Sequence, residues 1–590
     1  RCRRAFPFPD QRHSPLNDIL STRPESRSAG MFASDRLMLC GLAFFVVCLS
    51  ALPLGRLLLE GVAPGGDPGL DVAREVLSSK STWLATQRSM ITGIGGAVIS
   101  VVLGSIFALL VALTDIRAKG PLVFCFMIPM MIPPQITALS WIQLFGPSSA
   151  LLNALGIAPP LGSPHPMYSQ EGIILLLGVQ HAPLVFLALR AGLRSLPREM
   201  VEAARISGSG RLRVMFDVVV PLMTPPLIAG GALAFVSAIG NFGIPAMLGT
   251  PISYTTLPVL IYQRLSGFGP SIISEVAILS IIIGVIALTG LLVQSWMLSR
   301  RDYRTIGAPS RTLDLTLGRL RPVAESGCWM VIAMILIAPL LALVATSLVS
   351  AYGVRLSFET ATLEAYSEVI FRQEVTGRAF RNSFILAGGA AIVLMFVAIP
   401  LGYFIAWRRS GMTRFLDIAA ETPYALPGVV LAIACILIFL KPIPLLDISI
   451  YGTLWIIFAA YLGRFLTLGL RPVISAFIQT DRSLEEAAQS SGAGFLMRLR
   501  SAIAPAIAPS AAAGAILVFM TAFNELTVSA LLWSSGTETL GVVVFNLDDG
   551  GYSVLASAVA VLAVIAILVL MTAVHALSGR LPKGVLPWQT

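Results

Sequence analysis

Apolar residues along this chain gather into twelve runs of about 20 residues, separated by shorter polar stretches. A helix rises about 1.5 Å per residue, so a run of about 20 crosses a hydrocarbon layer of about 30 Å. In the first half the runs lie near 38–59, 90–113, 122–145, 172–191, 226–248 and 272–297. In the second half they lie near 326–350, 382–407, 418–440, 449–470, 510–533 and 552–577. The third is interrupted by Pro133-Pro134 and the ninth by Pro423 and Pro427. Such breaks persist in a membrane only where neighbouring helices or a cavity satisfy the freed backbone groups. The pattern predicts an all-α polytopic membrane protein with about 12 transmembrane helices.

Composition agrees with that pattern. The 590 residues are 56% hydrophobic and only 12% charged, and the mean hydropathy is +0.83. A soluble domain carries about 25% charged residues, so a soluble enzyme and a disordered scaffold are excluded. The net charge of +10 reads as orientation charge rather than a nucleic-acid footprint. Basic residues collect at Arg117 and Lys119, through 190–213, in the linker 298–325 and at 408–414, whereas 146–171 and 534–551 have no Lys or Arg. The positive-inside rule then places the basic loops, the linker and both termini in the cytoplasm. The segment 351–381 is the exception, with four arginines offset by four glutamates. The six cysteines show no metal or redox spacing and are read as core residues without disulfides. Residues 1–37 read as a disordered cytoplasmic extension without the hydrophobic region of a secretory signal, and Met31 is the alternative start. The expected division is a first half 38–297, a cytoplasmic linker 298–325, a second half 326–577 and a cytoplasmic tail 578–590.

The polar linker prompts a search for an internal repeat. At an offset of 284 residues, Glu202 to Leu248 runs without a gap onto Glu486 to Leu532, with 16 of 47 positions identical. Apolar composition alone would not align Glu202 with Glu486, Ser207 with Ser491, Gly208 with Gly492, Gly210 with Gly494, Pro221 with Pro505 or Pro225 with Pro509. The two halves are therefore parallel repeats, a plan that places a transport pathway between them. Each copy of the loop, 195–221 and 483–505, opens on a serine that can cap a helix, Ser195 or Ser483, and reaches a glycine suited to a left-handed cap. Ser483 and Glu486 have capping-box spacing, which would make that glutamate purely local. Glu202 lies seven residues after Ser195, so capping does not explain both copies. The pattern favours a docking surface over a merely structural loop.

This loop resembles the EAA motif in membrane subunits of binding-protein-dependent ABC importers. The first copy is Glu202-Ala203-Ala204, Gly208, Val218, Val220, Pro221; the second is Glu486-Ala487-Ala488, Gly492, Ala502, Ala504, Pro505. The alanines at 502 and 504 depart from the usual larger aliphatics. The resemblance covers about residues 38–577. It implies a type I ABC importer permease fold of two parallel six-helix repeats, in which each loop is a coupling helix docking on a cytoplasmic ATPase by helix-in-groove recognition. Glu202, Ala203, Ala204, Gly208, Glu486, Ala487, Ala488 and Gly492 are the implied docking residues. The implied partners are two ATPase copies, a periplasmic solute-binding protein and membrane lipid, with no nucleic acid.

None of the four lysines follows a glycine, so the chain has no phosphate-binding G-x-x-x-x-G-K-[ST] loop. ATP and Mg are then expected on the partner ATPase, with no cofactor, metal or catalytic residue here. His13, His165, His181 and His575 are scattered and read as structural. An ionisable residue within a span is a functional candidate. Glu525 is the clearest, its repeat counterpart is Asn241, and Asn524 and Gln135 join them as pathway candidates. A structural hydrogen bond is the competing role for Glu525. Glu275 and Glu421 lie near span ends and read as reaching the interface. An ion-coupled secondary transporter is the rival function, and a membrane-embedded enzyme a distant third. The first leaves the repeated loops unexplained, and no outer loop gathers the groups the second needs. The chain looks most similar to the ferric-iron branch of a permease group that also includes thiamine, polyamine and phosphonate relatives. The stretches 244–262 and 524–547 carry that likeness.

Overall fold

The computed structural model describes residues 33–64, 70–194, 198–267, 271–300, 316–442 and 447–577. The tail, residues 1–32 of the expected N-terminal extension and most of the linker lie outside them; residues 33–37, expected to be disordered, are helical. Among the described residues there is no β-strand, only an isolated bridge between Val349 and Ala361. Among the described residues nine helices are long and apolar enough to cross a membrane, and up to 13 if each bent pair counts as one.

Ten helices of the first half have counterparts in the second. They are α1 (Ser34–Val62), α2 (Lys80–Leu113), α3 (Lys119–Met131), α4 (Pro134–Phe145), α5 (Gln170–Arg194), α6 (Arg198–Ile206), α7 (Thr224–Ile239), α8 (Gly243–Gly249), α9 (Leu257–Leu265) and α10 (Ile272–Ser299). The second half repeats them in order as α11 (Gly318–Ser347), α12 (Glu374–Trp407), α13 (Gly411–Ala425), α14 (Gly428–Phe439), α15 (Leu454–Gln479), α16 (Ser483–Ser490), α17 (Phe495–Phe523), α18 (Ser529–Leu532), α19 (Leu540–Asp549) and α20 (Ser553–Leu577). Helices α2 and α12 each have 34 residues, and both start and both end 294 positions apart. All twelve expected spans have a helix or helix pair in place.

Proline chemistry shapes these helices. The proline ring clashes with the carbonyl four residues back and offers no N–H to it. A wider π turn relieves both conflicts. Such turns occupy Val47–Ala51, Met215–Val219, Ala333–Ile337 and Leu499–Ile503. Each contains the residue four positions before a proline: Pro53, Pro221, Pro339 and Pro505. Where prolines double, the helix breaks. The stretch Met215–Leu222 meets α7 at 58° beside Pro225-Pro226, whereas α17 runs unbroken through its single Pro509.

The third and ninth spans are bent by 102° between α3 and α4 and by 111° between α13 and α14. The ninth breaks at Leu426-Pro427, while Pro423 is accommodated inside α13. The fifth and eleventh runs do not continue as single helices. They end at Ile239 and Phe523, and short helices α8 and α18 follow at a new angle.

Each half is built on a tight triad, α2, α5 and α7 in one and α12, α15 and α17 in the other. The first helix of each half packs across the seam. Helix α1 lies against α12 to α15, and its Ser50 hydroxyl donates to the Ala419 carbonyl. Helix α11 lies against α3 and α4. Helix α14 is held between α1 and α10, and α4 between α11 and α20.

Close approach within a triad depends on glycine. A Cβ at Gly514 would fall 2.8 Å from the Gly469 carbonyl oxygen. Gly514→Val is therefore expected to force α15 and α17 apart, at a cost of about 1–3 kcal/mol. Thermal unfolding in detergent reads this as a lowered midpoint. Gly327→Ala, where nothing lies within 4 Å, should leave the midpoint in place.

Candidate functional site: two docking loops and a cavity between the halves

The two repeated loops fold alike. Helix α6 ends in Gly208 at φ 83° and α16 in Gly492 at φ 80°, the left-handed conformation glycine adopts without strain. The Ser207 and Ser209 N–H groups donate to the Ala203 and Ala204 carbonyls, each at 3.0 Å. Ser491 and Ala493 repeat this onto Ala487 and Ala488, each at 3.1 Å. In both copies the glutamate and first alanine (Glu202, Ala203; Glu486, Ala487) are exposed and the second alanine (Ala204; Ala488) is half-buried. Exposed Ile206 and Phe216 flank the first patch, and exposed Leu496 and Met497 flank the second. These apolar neighbours widen the surface beyond the motif residues.

The expected serine cap is not what starts α16. Ser483 lies inside the first turn, its own N–H donates to the Asp481 carboxylate at 2.9 Å, and no capping box with Glu486 forms. Ser195 lies outside the described residues.

Between the halves lies a cavity of about 340 Å³, lined by Gln180, His181, Asn241, Tyr424, Arg464, Asn524 and Glu525 among others. Three of the four pathway candidates meet here. Gln135 does not line it. Its side chain is fully buried in the wall beside α19, where a Cβ at Gly541 would lie 2.7 Å from Nε2, and neither amide atom has a hydrogen-bond partner among the described residues.

Asn241 and Glu525 do the same local job. The Asn241 Oδ1 accepts from the Ile244 N–H at 3.1 Å. The Glu525 carboxylate accepts from the Val528 N–H at 2.9 and 3.0 Å and from the Ser529 N–H at 3.2 Å. Each side chain captures the backbone donors at the start of the next short helix, which is why an apolar run stops being one helix there.

Two further residues complete the arrangement, and neither stood out in the sequence. In the first half the Gln180 Nε2 donates to the Ile132 carbonyl at 3.1 Å, just before Pro133. In the second, the Arg464 Nη1 donates to the Leu426 carbonyl at 3.3 Å, just before Pro427. Gln180 and Arg464 are 284 positions apart, the offset of the repeat. Each satisfies a carbonyl freed at the kink of a broken span. Arg464 also reaches the Glu525 carboxylate at 4.0 Å. Its guanidinium lies where a side chain at 428 would go, 3.1 Å from a Cβ at Gly428. One half thus carries an ion pair where the other carries two amides.

The Asn524 Nδ2 donates to the Met131 carbonyl across the seam, while its Oδ1 and the Gln180 Oε1 have no hydrogen-bond partner among the described residues. The rings of Phe242, Tyr262 and Phe545 pack together at 4.9 to 5.9 Å and join the halves beyond this cavity. Past them, on the face away from the docking loops, a second cavity of about 240 Å³ is lined by Tyr168, Tyr352, Asp548 and Asp549.

The histidines inside the described core make local bonds. His165 Nε2 meets the Ile142 carbonyl at 3.0 Å and His181 Nδ1 the Leu177 carbonyl at 2.8 Å. Of the two carboxylates at span ends, Glu275 pairs with Arg264 at 3.4 Å and Glu421 pairs with Arg471. Among the described residues no group of three or more His, Cys, Asp or Glu could hold a metal.

The sequence profile described as the inner membrane component of binding-protein-dependent transport systems matches residues 100–298 and again 398–585. The chain belongs to this family. The permease is 27% identical over 445 residues to a probable ABC transporter permease protein of Sinorhizobium fredii, covering 73% of this chain and 76% of the relative. It is 23% identical over 516 residues to an Fe(3+)-transport system permease protein of Haemophilus influenzae, covering 86% and 93%. A putative 2-aminoethylphosphonate transport system permease protein of Salmonella typhimurium is 29% identical over 208 residues, 34% of this chain and 70% of that one. The two profile matches fall one in each half, so each half of the permease carries its own match to the family.

Two outcomes are expected. A double-mutant cycle with Arg464→Gln and Glu525→Gln, read by unfolding in detergent, should give a coupling energy of about 0.5–3 kcal/mol. Strict additivity would mean the two charges are neighbours without interaction. On the opposite face burial works against ionisation of Glu538, but the Arg378 guanidinium at 3.0 Å and the Gly536 N–H outweigh it and hold the carboxyl below its ordinary value. Its contribution is therefore present above the ordinary carboxylate range and is lost as pH falls through the lowered folded value. The melting difference between wild type and Glu538→Gln should be open at pH ~7 and should narrow as the pH falls below the ordinary carboxylate range.

Proposed function

We propose that this permease is the translocation subunit of an ATP-driven importer for a small solute, and that the solute is ferric iron. The observation that carries the reading is the pair of docking loops: two short helices with the same glycine cap and exposed Glu-Ala patch, one per half. Each would seat in a groove on one of two cytoplasmic ATPase copies, with ATP and Mg bound there and no cofactor on this chain. Closure of the ATPase pair would pull the two loops together and change which cavity opens to which face. A periplasmic solute-binding protein would deliver cargo to the mouth lined by Asp548 and Asp549. Both termini and the docking loops would lie on the cytoplasmic side of the inner membrane, with lipid around the exposed apolar helix faces.

Asn241, Asn524 and Glu525 would border the pathway, and Gln135 would meet it only when the aromatic seam parts. Iron is favoured because the iron-transport relative aligns with both halves, whereas the phosphonate relative aligns with a length of about one. The carboxylates at the outer mouth suit a cationic cargo. The rival ion-coupled transporter needs a free intramembrane carboxylate for coupling. Glu525 is instead engaged with two backbone N–H groups and Arg464.

Affinity purification in mild detergent should retain an ABC ATPase on wild type and lose it on the Glu202→Ala, Glu486→Ala double variant. ATP-dependent uptake of radiolabelled iron should fall at least about tenfold, the effect of about 1.4 kcal/mol. Wild type purifying alone, with uptake driven by an ion gradient, would sink the importer reading. Uptake of an organophosphonate in place of iron would overturn the cargo alone.

A further inference from the structure

We infer that Glu485, the neighbour of the docking glutamate, is a positioning residue that fastens the second docking helix to α12, and that α12 carries the movement of that helix to the opposite face. The inference rests on the docking reading above.

Glu486 points outward, but Glu485 is buried under the same helix. The Tyr403 hydroxyl donates to its Oε1 at 2.6 Å, and the Arg408 Nη2 donates to the same oxygen at 3.3 Å. The Arg498 guanidinium, itself 2% exposed, stands 3.9 Å away. The Arg408 Nε donates to the Tyr403 hydroxyl at 3.0 Å and closes the cluster. Tyr403 is caged by the rings of Phe404, Trp407, Phe477 and Phe495 at 5.3 to 6.3 Å. A second tie runs from the Arg482 Nη2 to the Trp407 carbonyl at 3.2 Å. Tyr403 and Trp407 form the last turns of α12, and Arg408 follows them. The docking helix is therefore bonded to α12 and not only to its chain neighbours α15 and α17. Charge-assisted bonds shielded from water are the strong kind, and a packed ring cage leaves them one geometry.

The other end of α12 is tied as firmly. The Asn382 Nδ2 donates to the carbonyls of Gly536 and Glu538 at 3.1 and 3.0 Å. Arg378 pairs with the Glu538 carboxylate, and the Ser383 hydroxyl accepts from the Leu540 N–H at 3.0 Å, at the start of α19. Helix α19 supplies Phe545 to the aromatic seam and Asp548 to the outer cavity. Between the two ends, 34 helical residues run without a break, a rod of about 50 Å.

The first half has the same outer ties. There the Ser89 hydroxyl accepts from the Leu257 N–H at 2.7 Å, and Arg88 donates to the Ser253 carbonyl at 2.8 Å. The positions that match Tyr403, Arg408, Glu485 and Arg498 hold Leu109, Thr114, Val201 and Val214. The cluster of Tyr403, Arg408, Glu485 and Arg498 therefore has no like-for-like counterpart in the first half. The two docking events are mechanically unlike: in the second half the docking helix drives the outer helix through this bonded rod.

Coupling of this kind needs a measurement at both ends. The test is hydrogen–deuterium exchange of the full chain with its co-purified ATPase in nanodiscs, with and without ATP and vanadate, on wild type, Glu485→Gln, Tyr403→Phe and Asn382→Ala. In wild type the trapped nucleotide should alter exchange across 534–549 by about tenfold. All three variants should keep the ATPase and lose that change, while the response across 250–265 in the first half persists. A nucleotide response at 534–549 undiminished in Glu485→Gln and Tyr403→Phe overturns the inference. Loss of the first-half response together with the second also overturns it, because the effect would then be general loosening. Failure of wild type to hold an ATPase would bring down the docking reading and this inference together.

Discussion

A peptide group left without a hydrogen bond inside a membrane costs several kcal/mol, and this fold breaks its helices where that cost is highest. The breaks survive because neighbouring side chains answer the freed groups one by one. Gln180 and Arg464 cover the carbonyls before the prolines of the broken spans. Asn524 covers Met131 from across the seam. Asn241 and Glu525 cover the donors of α8 and α18, and Ser89 and Ser383 those of α9 and α19. Many of the polar residues between the halves are occupied in this way, whereas Gln135, the Gln180 Oε1 and the Asn524 Oδ1 have no partner among the described residues. The cavity is therefore polar for a structural reason first, and the proposed pathway would be lined by the same residues.

The repeat supplies a pair of nearly superimposable half-sites and then makes them differ. At the kinks one half uses glutamine and asparagine, and the other uses arginine and glutamate. An amide pair satisfies the same backbone groups without burying charge, so the charged version has a cost the neutral one avoids. The docking loops show the same division, with a buried carboxylate and two guanidiniums under α16 and apolar or neutral residues at the matching positions of the first half. Fusion of both halves in one chain keeps such unlike partners in fixed one-to-one ratio.

Much of this was legible in the sequence, because its signals were local. Twelve apolar runs located every span, and Gly208 and Gly492 announced left-handed caps that the backbone adopts. The aligned Glu-Ala-Ala copies marked two loops that fold alike. What was not legible depended on partners far along the chain. Arg464 reads as one more basic residue on a helix until Glu525 and Leu426 are brought beside it. Gln135 looked like a pathway residue because it follows a double proline, yet the approach of Gly541 encloses it in the wall. Ser483 had the spacing of a cap, but Asp481 lay closer to the free N–H. The ends of α7 and α17 were hidden because apolar residues continue past the point where Asn241 and Glu525 divert the backbone.

The crossing of α1 onto the opposite half has a consequence for synthesis. Ser50 bonds to Ala419, 369 residues later in the chain. At a translation rate of about 5–20 residues per second, α1 waits about 20–75 s in the membrane before its partners in the second half exist, with α10 of its own half made earlier. Through that interval one face of α1 meets only lipid, or the insertion machinery, or the incomplete first half. A nascent chain interrupted between the halves would therefore present a first repeat in which the α1 face that packs on α12 to α15 is uncovered.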